Sequence, residues 1–271
     1  MTATSGSDHV PGPERRMLLQ ACVNGARDAV GHPWLSADAS VVADDAARAV
    51  AAGAHEVHVH PKDATGRDSL AADDVARWVR AMRSASPGVP VGVTTGAGAE
   101  PDVERRLAAI ETWTELPDHA SVNWHEAGAD EVAALLLKRG VAVEAGLWDA
   151  AGFEVWKRSP VRGECLRVLI ELPDEPTDTL RDHAEGMIAH VELEEPDLPI
   201  LLHGEEGSTW PGSTSRSSSA WRRASGWKTP CCSPTVRRHR ATLRSCGRLW
   251  RGYGESDRPA TCAAASWGDV R

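Results

Sequence analysis

The sequence predicts a parallel α/β barrel, and three observations carry that prediction. Short apolar runs alternate with amphipathic helical stretches from Met17 to Asp149, and the rhythm continues to His203. Strict strand–helix alternation calls for a parallel sheet with right-handed crossovers. No G-x-G-x-x-G follows the first strand. Polar residues instead gather at the ends of nearly every strand: Asn24, His58, His60, Thr94, Thr95, Asn123, Glu144, Glu171, His203 and Glu205. An open doubly wound sheet and a closed eight-fold barrel both fit this rhythm. Barrels assemble their sites at that end from many strands, which favours the barrel.

Taken in order, residues 17–24 read as a strand, and 37–53 as an Ala-rich helix stopped at a glycine. Residues 56–61 form the next strand. Residues 69–85 are a helix with Val75, Trp78, Val79 and Met82 at helical spacing. A strand over 89–96 ends T-T-G, and a helix over 101–113 has proline in its first turn. Strands follow at 120–124, 141–148, 165–172 and 198–203. Helices fall at 129–139 and 179–191, with a short one after Trp148. That makes seven strands.

The second strand lies in H-E-V-H-V-H-P-K-D, His55 to Asp63. His58 and His60 are two apart, so a strand turns both imidazoles to one face. Two neutral imidazoles converging from one strand make half of a metal site, and zinc is the usual occupant of nitrogen-rich sites. The alternative is a pair of polar residues on a solvated edge strand. His55, at odd spacing, turns away from the pair.

A chain of 271 residues with 41% hydrophobic content can bury a real core. The segment 1–16 is polar, without the apolar region of a signal peptide, and no apolar run is long enough to cross a bilayer; a cytoplasmic location is expected. The net charge of −9 argues against a nucleic-acid binder. It also hides an asymmetry. Residues 1–211 carry 18 Lys+Arg against 36 Asp+Glu, whereas residues 212–271 carry 12 against 3. That last stretch also holds four of the six cysteines, and its only aliphatics among Val, Ile and Leu are Val236, Leu243, Leu249 and Val270. Three parts follow: a disordered 1–16, a barrel domain over 17–211, and a basic, low-aliphatic tail over 212–271.

Motifs in fixed order connect the barrel part to known enzymes. V-N-G-A-R, H-V-H-P-K-D-A-T-G-R-D-S-L, V-T-T-G, A-S-V-N-W-H-E, V-E-A-G-L-W, L-R-V-L-I-E and L-L-H-G-E-E stand after or around successive strands. Together they resemble the beta-keto acid cleavage enzymes, also called 3-keto-5-aminohexanoate cleavage proteins, over roughly Leu18 to Pro211. The resemblance implies a zinc-dependent (β/α)8 barrel that takes a beta-keto acid and acetyl-CoA to acetoacetate and a new acyl-CoA. It implies His58 and His60 as zinc ligands, with Thr94, Thr95, Gly96, Ser121 and Asn123 holding the substrate carboxylate. Glu144 corresponds to a catalytic glutamate on the floor of the site. Ordinary strand-end hydrogen bonding is the competing account of the Thr and Asn residues, but an ionisable group inside a barrel needs a reason. Arg27 stands where lysine-fermenting members carry an acid, so a neutral or anionic distal group on the substrate is expected; Arg27 could equally be a surface residue of its loop. The family suggests a homo-oligomer.

The resemblance also calls for a third zinc ligand, a glutamate followed by a catalytic acid, in G-L-E-D on an eighth strand. Residues 222–236 read R-R-A-S-G-W-K-T-P-C-C-S-P-T-V instead. The codons for Gly226 to Cys232, read from the third base of the Gly226 codon, give Leu/Met/Val, a forced Glu, Asp or Asn, a small residue, Leu/Met/Val and a forced Leu. The same frame permits A-T-R-I-G upstream. One frame slip near Pro211 or Gly212 would explain the basic charge, the odd composition and the missing motif together. Adjacent Cys231 and Cys232 have the wrong spacing for a zinc knuckle. The expected consequence is a barrel without its eighth strand, open at its first and seventh strands, with impaired activity. Two rivals remain: a zinc hydrolase of the amidohydrolase kind using His125 and His203 as further ligands, and an inactive remnant.

Overall fold

The computed structural model describes residues 18–26, 36–174 and 177–204, together with the backbone of 226–230. Eight parallel strands close into a barrel in chain order: β1 (Leu18–Cys22), β2 (Glu56–Val59), β3 (Val91–Thr94), β4 (His119–Asn123), β5 (Ala142–Leu147), β6 (Arg167–Leu172), β7 (Ile200–Gly204) and β8 (Gly226–Pro230). Six helices join the first seven: α1 (Ala39–Ala51), α2 (Ala72–Ala85), α3 (Val103–Glu111), α4 (Ala129–Lys138), α5 (Ala150–Arg158) and α6 (Thr177–Glu194). The barrel expected from strand–helix alternation is therefore the fold.

Its strands are buried on both faces, because helices cover the outside and side chains fill the inside. Alternation sorts the two sets. Val57 and Val59, Val91 and Val93, and Ala120 and Val122 pack outward under the helices. Gln20, His58, Gly92, His119, Ser121, Glu144, Arg167, Glu171 and His203 are carried on the strands in the opposite phase. Helix starts follow ordinary capping: Asp38, Asp102 and Asp149 each accept a backbone N–H of the first turn. Two buried tryptophans fix the loop after β2. Trp78 Nε1 donates to the Lys62 carbonyl at 2.9 Å and Trp113 Nε1 to the Leu70 carbonyl at 2.8 Å.

One expectation needs correction. The first and seventh strands are not left open, because Gly226–Pro230 pairs with both, Leu18↔Gly226 to Cys22↔Pro230 on one side and Leu201↔Gly226 to His203↔Lys228 on the other. A ladder asks for backbone donors and acceptors at strand spacing rather than for particular side chains, so five extended residues suffice to cover two edges. The segments 1–17 and 231–271, which hold the expected disordered N-terminus and most of the basic tail, lie outside the described residues. No helix among the described residues is long and apolar enough to cross a membrane.

Candidate metal centre and cleft

At the C-terminal end of the strands is a cleft of about 200 Å³ lined by Cys22, His58, His60, Asp68, Thr94, Gly96, Ser121, Asn123, Glu126, Glu171 and His203, among others. His58 and His60 both face it, with ring centroids 5.5 Å apart and planes at 70°. The two imidazoles thus face one side, as their spacing on a strand requires. His60 lies just past the end of β2 and is held from two sides. Its backbone N–H donates to Asn24 Oδ1 at 2.8 Å and its carbonyl accepts from Asn24 Nδ2 at 2.7 Å. Its Nδ1 lies 3.0 Å from Asp68 Oδ2. A carboxylate on one ring nitrogen fixes the tautomer and offers the other nitrogen, the usual second partner of a metal-bound histidine. Lys62 Nζ donates to Asp68 Oδ1 at 2.5 Å and to the Gly25 carbonyl at 2.9 Å, so the loops after β1 and β2 are knotted at this point. Burial alone would raise the Asp68 carboxyl, but the bonds and charges of His60 and Lys62 outweigh it and hold the group below its ordinary range.

Beneath the cleft, inside the barrel, His58, His119 and Glu144 form a second convergence, with one ligand atom from each lying within 4.8 Å of the others. His58 Nδ1 is 3.9 Å from Glu144 Oε2 and His119 Nε2 is 3.7 Å from Glu144 Oε1. This lower layer already holds a positive charge. Arg167 lies between Glu144 and Glu56, bonding Glu144 Oε1 at 2.8 Å through Nε and pairing with Glu56 through Nη2. Burial would lower the Arg167 guanidinium, but Glu144 and Glu56 overcome it and hold it charged. Gln20 Nε2 donates to Glu144 Oε1 at 2.7 Å and stands 3.0 Å from His119 Nε2. A divalent ion in this layer would have to displace the Gln20 amide and share Glu144 with Arg167. His58 is the residue that this group shares with the cleft lining.

The residues expected to hold a carboxylate divide. Thr94, Gly96, Ser121 and Asn123 line the cleft, whereas Thr95 turns its Oγ1 to the Ser121 carbonyl at 2.8 Å and is buried in the strand layer. Glu144 is fully buried in the lower layer, outside the cleft lining. Arg27 and Glu205 lie outside the described residues. His125 packs edge-on against Trp148.

Sequence reasoning passed over Glu126. Its Oε1 accepts from Asn123 Nδ2 at 2.9 Å, and its Oε2 accepts from the Ala97 N–H at 2.7 Å and from buried Arg106 at 2.9 Å. Trp148 Nε1 donates to Asn123 Oδ1 at 3.0 Å. The Asn123 amide is thereby held at both ends, with one N–H left to face the cleft. Gly146 makes this possible, since a Cβ there would stand 2.5 Å from Asn123 Oδ1. His119 was also missed. It shares the phase of Ser121 and Asn123, and starting the fourth strand one residue earlier would have included it.

With this geometry in place, the comparisons decide the family. The model of the beta-keto acid cleavage enzymes matches residues 16–163. The chain belongs to that family. No curated protein matches the chain. Solved structures share the barrel alone. A type I 3-dehydroquinate dehydratase from Clostridium difficile aligns with TM-score 0.57 at 14% identity, covering 91% of this chain and 97% of that one. A phosphoribosyl anthranilate isomerase from Thermococcus kodakaraensis aligns with TM-score 0.53 at 16% identity, covering 88% and 100%. An HPPK-DHPS structure aligns with TM-score 0.55 at 10% identity; this chain, 90% covered, spans about half of it, 51%. Membership in the cleavage family brings metal dependence and the cleavage of beta-keto acids as the reaction type.

Proposed function

We propose that the cleft takes a beta-keto acid and acetyl-CoA and yields acetoacetate and a new acyl-CoA, with zinc held by His58 and His60. One observation carries the proposal: two imidazoles face one cleft, and one of them is braced by a carboxylate, inside a family of metal-dependent beta-keto acid cleavage enzymes. When bound, zinc would act as a Lewis acid on the keto oxygen. The chain's own residues supply the rest. Ser121 and the second amide hydrogen of Asn123 offer donors to the substrate carboxylate, and Glu126 with Arg106 keeps Asn123 in place. Glu144, paired with Arg167 and bonded by Gln20, lies behind His58 with its Oε2 3.9 Å from Nδ1, and is the glutamate expected to act catalytically on the floor of the site. Arg27 favours a neutral or anionic distal group on the substrate.

The frame slip remains part of this proposal. The glutamate and following acid that the alternative frame encodes straddle Trp227, Lys228 and Thr229. In β8 these positions pair with Leu19–Ala21 of β1, and Trp227 and Lys228 pair with Leu202 and His203 of β7. That is the strand on which the family's third ligand is expected, which supports the reading. The chain as written would have impaired zinc binding and turnover. The test is a zinc-loading and turnover assay with a panel of beta-keto acids, with and without acetyl-CoA. Acetoacetate formed only with acetyl-CoA, and lost in His58→Ala and His60→Ala, supports the proposal; hydrolysis without acetyl-CoA refutes it.

A further inference from the structure

Among the described residues that line the cleft are three acids, Asp68, Glu126 and Glu171, but neither lysine nor arginine. An anionic substrate binds poorly in such a cleft unless those carboxylates are neutralised from behind, because like charges at close range oppose one another. Each acid has a partner. Asp68 is paired with Lys62, and Glu171 with His203. Glu126 is paired with Arg106, whose Nη1 lies 2.9 Å from Glu126 Oε2. Arg106 stands on α3 and is 2% exposed, so it serves the cleft without lining it.

Glu126 is the acid that lies among the residues expected to hold a carboxylate. Its Oε1 accepts from Asn123 Nδ2 at 2.9 Å, and its Oε2 from the Ala97 N–H at 2.7 Å. A Cβ on Gly96 would stand 3.3 Å from Glu126 Oε1 and 3.4 Å from Thr94 Oγ1, so glycine lets the loop after β3 lie against this carboxylate. Thr94 Oγ1 in turn accepts from the Gly96 N–H at 3.2 Å, which leaves its own hydrogen to donate. One carboxylate thus gathers β4, the loop after β3 and α3 around a cluster of donors. Its charge opposes the very anion those donors would receive. Bonds from two neutral N–H groups spread that charge without cancelling it; the guanidinium of Arg106 cancels it.

Resting on the beta-keto acid reading above for the substrate class, we propose that Arg106 is a positioning residue that acts through Glu126. Its charge cancels that of Glu126 beside Asn123 and so lets this corner of the cleft take the substrate's carboxylate. Arg106 meets Glu126 through Nη1 at a single point rather than as a two-point fork, so the charge and not the guanidinium shape carries the effect.

Calorimetric titration of the full chain, supplied with zinc, with acetoacetate tests this. Arg106→Gln is expected to weaken binding on the order of 30-fold, because Glu126 is left charged and unopposed. Arg106→Gln combined with Glu126→Gln removes both charges and should bind within about fivefold of the unsubstituted chain. Arg106→Lys keeps the charge and should bind within about threefold. A residue that only supported the fold would show neither recovery. Unchanged binding in Arg106→Gln, or no recovery in the double variant or in Arg106→Lys, overturns the proposal. Should Arg106→Gln not fold, the double variant decides: a loss beyond about fivefold overturns the proposal. A second readout needs no ligand. Hydrogen exchange at the Ala97 amide should quicken about tenfold in Arg106→Gln and stay slow in Arg106→Lys, because Glu126 holds that N–H only while Arg106 holds Glu126. Exchange unchanged in Arg106→Gln also overturns the proposal. An unsubstituted chain that binds no acetoacetate counts against the preceding reading, and the Ala97 exchange then decides the Arg106–Glu126 pair by itself.

Discussion

Asp68 accepts from His60 and Lys62 at once, and a single carboxylate thereby sets the tautomer of one proposed ligand and joins two loops. Asp68→Asn keeps the shape and removes the charge. Zinc affinity is expected to fall about 10–100-fold, measured by competition with a chelating dye; unchanged affinity would mean that Asp68 does not brace His60. A second residue controls alkaline stability. Burial, reinforced by Glu164, raises the Cys165 thiol from 9.0 to about 12. A folded-state value raised above the unfolded one gives stability that is fully present below pH 9.0 and is lost as pH rises toward about 12. The urea midpoint should drop across that window, and Cys165→Ala should drop less relative to its own value at neutral pH. At this scale, His58 and His60 were legible because strand alternation puts both on one face. His119, Gln20 and Arg167 were not, because a polar residue inside a barrel is recognised only once closure makes the interior visible.

Strands and helices were legible almost throughout, since amphipathic helices and doubly buried strands have distinct periods. Each expected element of the barrel part exists, with ends displaced by a few residues where polar caps and loops take over. What periodicity does not reveal is the fit between neighbouring strands. Gly92 on β3 is such a case, because a Cβ there would lie 2.1 Å from His119 Nε2 on β4. Gly92→Ala must displace the imidazole from the Gln20–Glu144 network, and it should cost about 1–3 kcal/mol by chemical denaturation. Gly146→Ala should do comparable damage at Asn123, read instead as a raised KM for the keto acid. An unchanged KM would separate Asn123 from substrate binding. The eighth strand went the other way: the sequence around Gly226–Pro230 gave no strand signal, yet backbone pairing closes the barrel there.

Across the whole molecule, the acidic barrel and the basic last sixty residues are the feature that the fold does not explain. Parallel pairing of β8 with β1 and β7 supplies the backbone of a closed barrel, but G-W-K-T-P supplies neither a glutamate nor an aspartate at its mouth. A closed scaffold with an incomplete metal set is the account that joins these facts. It is tested most directly by expressing two chains, one from the DNA as given and one with a single base added or removed near the Pro211 codon. Bound zinc and acetyl-CoA-dependent acetoacetate formation are then measured on both. The account predicts a full complement of zinc and turnover in the restored chain, and turnover lower on the order of 100-fold or more in the chain as written. Equal activity in the two chains, or a restored chain that binds zinc and forms no acetoacetate from any keto acid, would contradict it.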